Sequence, residues 1–375
     1  MNILFISELL PLNTYASEVV FYRHFKKLVD EGHNIHILTD QNSYNSRKQD
    51  IDPLFTIHLI PNRKWYYPPY KSYGIYQRLR FFDYFENYLK DIIKTHKIEN
   101  LLGFIYGNFL AAFCAYAQRR SKLPLYSFFH DDPEELNGRE RKWLIHKNTK
   151  AILSASSIVF VASLNFTSKW KQFEKKFTLL YPIPEEGNAK PVIKNKYSLN
   201  TIAYAGSVYN EIIPYLEKTA LILNISDIKL EILGNNEKAR YLASTFKNVR
   251  YNKLFETPKE SNEFLIENAV ACIIPYPINI EEMPWINTCF PSKFIQYTIL
   301  GIPTIIIAPE ESAIGRWCIE YRWPLYLNNY EAHALTKLIK EELFTEKTLN
   351  ALNLLQKETF NPTTIHAIFS SHFKS

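Results

Sequence analysis

Residues 2–39 read NILFISELLPLNTYASEVVFYRHFKKLVDEGHNIHILT, and this stretch decides the fold. An apolar run at 2–7 precedes a segment, 18–31, in which apolar residues recur with helical spacing at Val20, Phe21, Phe25, Leu28 and Val29. Gly32 suits the end of that helix, and 34–39 is a second apolar run. A strand, a helix and a strand of these lengths form a βαβ unit, in which the two strands are parallel.

The same alternation continues along the chain. Further strand-like runs begin at residues 55, 101, 125, 157 and 177, and again at 201, 229, 248, 269 and 301. The intervening stretch PIPEEGNAKPVIKNKYSL is rich in proline and lysine and is typical of a linker. We therefore predict an α/β protein with two Rossmann-like, doubly wound domains that face each other across a cleft. The expected division is an N-terminal domain, a hinge, a C-terminal domain and a last helix that crosses back to the first domain, at 1–182, 183–199, 200–352 and 353–375.

The composition is that of a globular protein. Of the 375 residues, 46% are hydrophobic and 22% are charged. No apolar run reaches the roughly 18 residues of a membrane span, and the apolar start lacks the basic flank of a signal peptide. Four scattered cysteines show no metal-binding spacing, which favours a cytoplasmic protein. A net charge of +6 fits phosphate-bearing ligands and is too small to indicate nucleic acid.

Polar residues and glycines follow several strands, at the edge where open parallel sheets bind ligands. In the first half these are Tyr15, Ser17, Glu18 and Asn108. His130 and Asp131 follow the strand that begins at 125. In the second half the corresponding residues are Gly206, Ser207 and Gly234. Each of these also suits an ordinary turn or helix cap, and that alternative stays open.

Residues 284–304 read PWINTCFPSKFIQYTILGIPT. A helix is predicted to begin at Pro291-Ser292-Lys293 and to end at Gly301. Free backbone N–H groups, the positive end of the helix dipole and a lysine together favour phosphate binding. Gln296, which we place on the first turn, is within reach of a ribose hydroxyl.

At this point the sequence resembles the GT-B glycosyltransferases of the family-4 type, especially the bacterial surface-polysaccharide enzymes. The resemblance covers nearly the whole chain. It rests on the opening MNILFIS with EGHNIHILT, on the pair TIAYAGS and KLEILGN, and above all on PSKFIQYTILGIPTI.

The resemblance implies an enzyme that moves a sugar from a nucleotide-diphosphate donor to a glycan or lipid-linked glycan, without a metal or another cofactor. It implies that the C-terminal half holds the donor through Gly206, Ser207, Gly234, Leu254, Phe255, Pro291, Ser292, Lys293 and Gln296. It also implies that the acceptor binds the N-terminal half, where Tyr15, Ser17, Glu18 and Asn108 are the acceptor-side candidates. The chain departs from the family pattern at three places. Gln296 replaces a glutamate, Tyr15 and Ala16 replace paired glycines, and GSVYNE lacks the usual arginine and lysine. Lys293 and Arg316 are the candidate replacement cations.

His130 is the expected catalytic residue of the first half, with Asp131 beside it. A neighbouring carboxylate can fix the tautomer of an imidazole or raise its pKa. The alternative is that His130 and the aspartates cap a helix whose first turn contains Pro133 and Glu134.

Other interpretations remain open. Asp50-Ile51-Asp52 has the letters of a metal-binding glycosyltransferase motif but precedes a strand, so we interpret it as a solvated turn. A non-catalytic sugar- or partner-binding subunit and a nucleotide-sugar epimerase are the alternative functions. The basic and aromatic segment 63–85 suits peripheral contact with the inner face of a membrane, or else a solvated loop and an amphipathic helix.

Overall fold

The computed structural model describes residues 1–14, 16–60, 75–106, 109–135, 142–186, 200–253, 255 and 257–373. The chain divides into two compact units. The first contains Met1–Pro182 and His366–Ser375, and the second contains Ile183–Ile365.

The first unit is built on a seven-stranded parallel sheet. Its strands are β1 (Asn2–Ile6), β2 (Asn34–Asp40), β3 (Thr56–Ile60), β4 (Asn100–Phe104), β5 (Leu125–Phe129), β6 (Ile158–Val161) and β7 (Phe177–Leu179). They lie in the order β3-β2-β1-β4-β5-β6-β7, so the order reverses between β1 and β4. The helices are α1 (Ala16–Asp30), α2 (Gln41–Arg47), α3 (Ile75–Thr95), α4 (Phe109–Ser121), α5 (Lys142–Ala155) and α6 (Phe166–Lys169).

The second unit contains a six-stranded parallel sheet. Its strands are β8 (Thr201–Ala205), β9 (Lys229–Gly234), β10 (Val249–Lys253), β11 (Ala271–Pro275), β12 (Thr304–Ile307) and β13 (Tyr326–Leu327). Their order is β10-β9-β8-β11-β12-β13, which reverses between β8 and β11. The helices are α7 (Ile213–Ile225), α8 (Glu237–Thr245), α9 (Pro258–Asn268), α10 (Ser292–Ile299), α11 (Ala313–Glu320), α12 (Ala332–Lys337) and α13 (Glu346–Leu354). The last helix, α14 (Pro362–Ser370), begins in the second unit, and from His366 onward it belongs to the first unit.

Side chains alternate across the first sheet, as the period of a strand requires. Leu4 of β1 packs into a cluster with Leu38 and with Phe85 of α3. On the other face Phe5 lies 5.1 Å from Phe21 of α1, between ring centroids. The end of the chain also covers this sheet, because Phe369 of α14 lies 5.3 Å from Phe128 and 5.2 Å from Phe160. Both faces are therefore buried, as is usual for parallel sheets.

The predicted fold class is confirmed: the protein is α/β, with two parallel sheets. The strand predicted to begin at Leu125 ends at Phe129. Residues 133–135, where the alternative interpretation placed the first turn of a helix, form a turn. The analysis also did not identify α2 and α5. No helix among the described residues is both long and apolar enough to cross a membrane. Most of the segment 63–85 lies outside the described residues.

Candidate functional site

The switch point of the second sheet lies between β8 and β11, where ligands bind in open α/β sheets. β8 pairs with β11 at Ile202 and Ala203. Two residues further along β8, at Ala205, the buried phenol of Tyr297 on α10 bonds to the strand backbone. Its Oη accepts from the backbone N–H of Ala205 at 3.0 Å and donates to the carbonyl of Ala205 at 2.8 Å. The start of α10 is thereby fixed beside the end of β8.

Lys293, the second residue of α10, lies at this switch point. Its Nζ donates to the Tyr204 hydroxyl at 2.6 Å and to the Ser207 carbonyl at 3.1 Å. It also lies 3.9 Å from the centroid of the Tyr204 ring, which is a cation–π distance. Tyr204 in turn donates to the Ser207 carbonyl at 2.9 Å. The ammonium group is therefore held by neutral groups just beyond the end of β8.

Gly206 allows this approach. Its φ is +113°, a backbone conformation that favours glycine. A Cβ at this position would lie 2.7 Å from Cε and 3.3 Å from Nζ of Lys293. Any other residue at 206 would displace the lysine head.

Burial lowers the pKa of Lys293 to about 7. The amine is therefore partly deprotonated at neutral pH. A doubly charged phosphate beside it would raise this pKa again, because an adjacent negative charge favours the ammonium form. The site therefore suits an anionic ligand, whose negative charge would stabilise the protonated lysine.

The start of α10 is open. Pro291 occupies the N-cap position, and within the described residues no side chain caps the helix. By contrast, α9 begins with a capping box formed by Thr257 and Glu260. Ser292, the first residue of α10, is exposed. Uncapped N–H groups next to Lys293 are the donors that bind phosphate at helix starts.

Gln296 lies on the second turn of α10, not on the first turn as predicted. Its Oε1 accepts from the backbone N–H of Glu185 at 3.2 Å. The Glu185 carboxylate accepts from Asn262 at 2.9 Å. The amide oxygen proposed to read a ribose is thus already bonded to the backbone of residue 185.

Two further predicted donor residues, Gly234 and Phe255, lie at the same edge of the sheet. Gly234 ends β9, and a Cβ there would meet Val208 Cγ2 at 2.7 Å. The Phe255 ring lies 5.5 Å from that of Phe264. Leu254 lies outside the described residues.

In the first unit, His130 follows β5 directly and is only 8% exposed. Its Nδ1 lies 2.9 Å from the Ser17 hydroxyl on α1. The ring stacks on Phe21 at 5.4 Å and meets the edge of Phe104 at 5.6 Å. Burial lowers the pKa of His130 to about 4. The expectation that a carboxylate raises this pKa is wrong, because the ring is surrounded by aromatic side chains and a hydroxyl.

A neutral imidazole can donate from one nitrogen and accept at the other. Since the Ser17 hydroxyl occupies Nδ1, Nε2 is the atom that His130 offers to a ligand. His130 is thus suited to hydrogen bonding with a sugar hydroxyl.

The aspartates beside His130 have different environments. Asp132 is fully buried and ion-paired with Lys169 at 2.8 Å, and it also accepts from the backbone N–H of Glu134 at 2.9 Å. Lys169 further contacts Glu134 and Glu135, both at 3.1 Å. This network fixes the turn after β5, and because residues 133–135 form a turn, Asp132 holds that turn and does not begin a helix there. Asp131 is half-buried.

Two of the predicted acceptor-side residues are described. Ser17 is the partner of His130. Glu18 accepts from the Thr14 hydroxyl at 2.6 Å and pairs with Arg47 of α2 at 3.2 Å. Tyr15 and Asn108 lie outside the described residues.

Sequence reasoning missed Tyr204, Tyr297 and Lys169. The two tyrosines occupy positions that suit a buried strand and helix equally well, so periodicity assigned them to the core. The signal that was available is chemical, because a buried phenol usually needs a hydrogen-bond partner. Lys169 carried no sequence signal.

The fold is that of the GT-B glycosyltransferase structures. No protein-family model and no curated protein matches the sequence. Among solved structures, a glycosyltransferase from Rickettsia africae aligns with a TM-score of 0.67 at 12% identity, covering 100% of this chain and 99% of that one. HepE from Anabaena, in complex with UDP and glucose, gives 0.62 at 12%, with 100% and 99% covered. Sucrose-phosphate synthase from Thermosynechococcus elongatus gives 0.65 at 12%, with 99% and 98% covered.

Proposed function

We propose that this protein transfers a sugar from a nucleotide-diphosphate donor, and that the second unit binds the donor. The observation that carries the proposal is the position of Lys293, whose ammonium lies beside Gly206 and the uncapped start of α10 at the switch point of the sheet. A pyrophosphate is the ligand whose charge and oxygen atoms match these donors. HepE, which has the same fold, was solved with UDP and glucose and supports a nucleotide-sugar ligand.

In this proposal, Lys293 and the backbone amides at the start of α10 neutralise the charge of the donor diphosphate, without a metal or another cofactor. Transfer of a sugar leaves negative charge on the departing diphosphate. Fixed donors that strengthen their bonds as this charge develops lower the barrier. Lys293 does so with a full positive charge, because the bound diphosphate raises its pKa and the amine takes up a proton from solvent.

In this proposal, His130 of the first unit forms a hydrogen bond with the transferred sugar. Its low pKa keeps the imidazole neutral at physiological pH, so it acts as a hydrogen-bond donor or acceptor and not as a cation. Ser17 and the stacked Phe21 hold the ring in one orientation. Asp131 is assigned to the same catalytic loop. Its position next to His130 is the support.

The acceptor is proposed to be a glycan or lipid-linked glycan, in bacterial surface-polysaccharide synthesis at the cytoplasmic face of the membrane. The support is the sequence resemblance over PSKFIQYTILGIPTI. The basic and aromatic composition of 63–85 further supports peripheral contact with anionic lipid.

Calorimetric titration of the purified chain with UDP, GDP, ADP and dTDP, in the presence of EDTA, tests donor binding. One of these nucleotides should bind with one site per chain. Lys293→Ala should raise its dissociation constant about 10- to 100-fold, the effect of losing a charge-assisted hydrogen bond of about 1.5–3 kcal/mol.

Lys259→Ala is the matched control. Lys259 is also the second residue of a helix in the same unit, but its side chain is 76% exposed and pairs with Glu263. It should bind nucleotide as the parent chain does. Release of free sugar from the matching nucleotide sugar then tests catalysis. Tight nucleotide binding without turnover, with or without glycan acceptors, would favour a non-catalytic binding subunit.

A further inference from the structure

Three histidines meet on one face of the first sheet. His36 is on β2, His58 is on the edge strand β3, and His96 follows the last residue of α3. One ring nitrogen from each of the three lies within 4.8 Å of the other two. In the described part of the chain, this is the one group of three or more histidine, cysteine or acidic side chains with such spacing.

The contacts among the rings are close on every side. Nδ1 of His36 lies 3.1 Å from Nε2 of His58. The His96 ring lies 4.7 Å from that of His36 and 4.8 Å from that of His58, between centroids. Two nitrogens bound to one tetrahedral zinc ion at about 2.0–2.1 Å would be about 3.4 Å apart. The His36–His58 pair, at 3.1 Å, is about 0.3 Å closer than this spacing. One nitrogen of His96 lies within 4.8 Å of those of the other two rings, so this ring must move closer to join them around one ion.

The chemistry of the cluster selects the ion. Neutral imidazole binds zinc, copper and nickel, whereas magnesium and calcium prefer oxygen ligands. Each of the three rings offers one nitrogen to the cluster. His58 and His96 are half-buried, so solvent can supply a fourth ligand.

The cluster is separate from the proposed sugar-transfer site. β4 begins at Asn100, four residues after His96, which places His96 by the amino-terminal edge of the sheet. His130 follows the last residue of β5, at the carboxyl-terminal edge.

We propose that His36, His58 and His96 form a binding site for one zinc-class divalent transition-metal ion. The ion joins the edge strand β3 to β2 and to the end of α3, with the fourth position open to water. Since β3 is bonded to the sheet along one side only, this cross-link stabilises the edge strand. No bond of a substrate is made or broken at this site.

Zinc titration of the EDTA-treated, dialysed full chain, produced without a polyhistidine tag, tests the proposal. Calorimetry should give one zinc ion per chain and no heat with magnesium. His58→Asn and His96→Asn should each weaken zinc binding by more than about 10-fold, the lower bound seen when even an outer-shell partner is lost. His333→Asn, at an exposed histidine of α12, is the control and should bind zinc like the parent chain.

Cobalt gives a second measurement. The parent chain and His333→Asn should develop the visible bands of tetrahedral cobalt, and His96→Asn should not. Circular dichroism establishes that each variant is folded, and unchanged nucleotide affinity places the effect away from the donor site. Absence of zinc binding by the parent chain would overturn the proposal, as would equal zinc affinity in the folded His58 and His96 variants. The three rings would then be a neutral, hydrogen-bonded cluster.

Discussion

Raising the pH from 7 to 9 should weaken nucleotide binding through Lys293. Burial lowers the pKa of this residue to about 7 in the empty site. Its partners, the Tyr204 hydroxyl and the Ser207 carbonyl, are neutral, so neither compensates the ammonium charge. A bound diphosphate does compensate it and restores a pKa closer to the ordinary value of about 10.4. Binding between these two pKa values therefore takes up a proton.

The size of the effect follows from the fraction of empty sites that carry the charge. About half of them do at pH 7, and about one in a hundred at pH 9. If the diphosphate binds the charged form, its dissociation constant rises about 50-fold over this range, equivalent to about 2.3 kcal/mol. The phosphate itself contributes little, because its second pKa is about 6 and its charge is nearly constant above pH 7.

Calorimetry at pH 7, 8 and 9, in pairs of buffers with different ionisation enthalpies, measures both the affinity and the protons taken up. Uptake should approach one proton per nucleotide near pH 8.5. Lys293→Ala should bind weakly at every pH, with no proton uptake. An affinity in the parent chain that is independent of pH, or the same pH dependence in Lys293→Ala, would refute the assignment of Lys293 to the diphosphate.

Four further outcomes are expected. Gly206→Ala should weaken nucleotide binding at least about 10-fold in calorimetry, because the new Cβ displaces Lys293. Gly32→Ala is the control: its φ is also positive, but no atom lies within 4 Å of the new Cβ, so it should lower stability and leave nucleotide affinity unchanged. His130→Ala should lower turnover about 100-fold or more in a transfer assay with nucleotide binding retained, and normal turnover would exclude a catalytic role. Gln296→Leu should weaken nucleotide binding about 10-fold while Gln296→Glu keeps it, and equal affinity in both would leave Gln296 a purely structural residue. Lys293→Met should raise the thermal midpoint of the ligand-free chain at pH 7, and a lower midpoint would contradict the inferred cost of burying the ammonium.

Much of the fold was predictable from the sequence because buried parallel strands are short apolar runs and the helices between them have a regular period. The start of α10 was predictable for a similar reason, since a proline, a serine and a lysine at a helix start form a local pattern. Tyr297 was not predictable. Its phenol bonds to the backbone of Ala205, 92 residues away in the sequence, and helical periodicity does not record which buried side chain faces a neighbouring strand end.

The sequence also does not show which of two adjacent loop residues is buried. Asp131 and Asp132 are equivalent by composition, yet Asp132 is the one that is fully buried against Lys169. The histidine cluster was equally invisible, because His36, His58 and His96 are 22 and 38 residues apart and are assembled by strand pairing and by the end of a helix. Long-range pairing determined these contacts, and a sequence read segment by segment does not contain them.

The low pKa of Lys293 links the stability of the empty protein to the affinity of the site. An unfolded lysine titrates near 10.4, so between pH 7 and about 10.4 the unfolded chain binds more protons than the folded one, and stability rises with pH. At pH 7 and below the folded state carries the full cost of the buried charge. Removing the charge with Lys293→Met removes that cost, and the gain in stability should shrink as the pH approaches 10. The same desolvation makes the ammonium a stronger partner for a diphosphate, because the water that would screen it is already excluded. Lys293 should therefore lower the stability of the ligand-free chain and, at the proposed donor site, favour a diphosphate over an uncharged ligand.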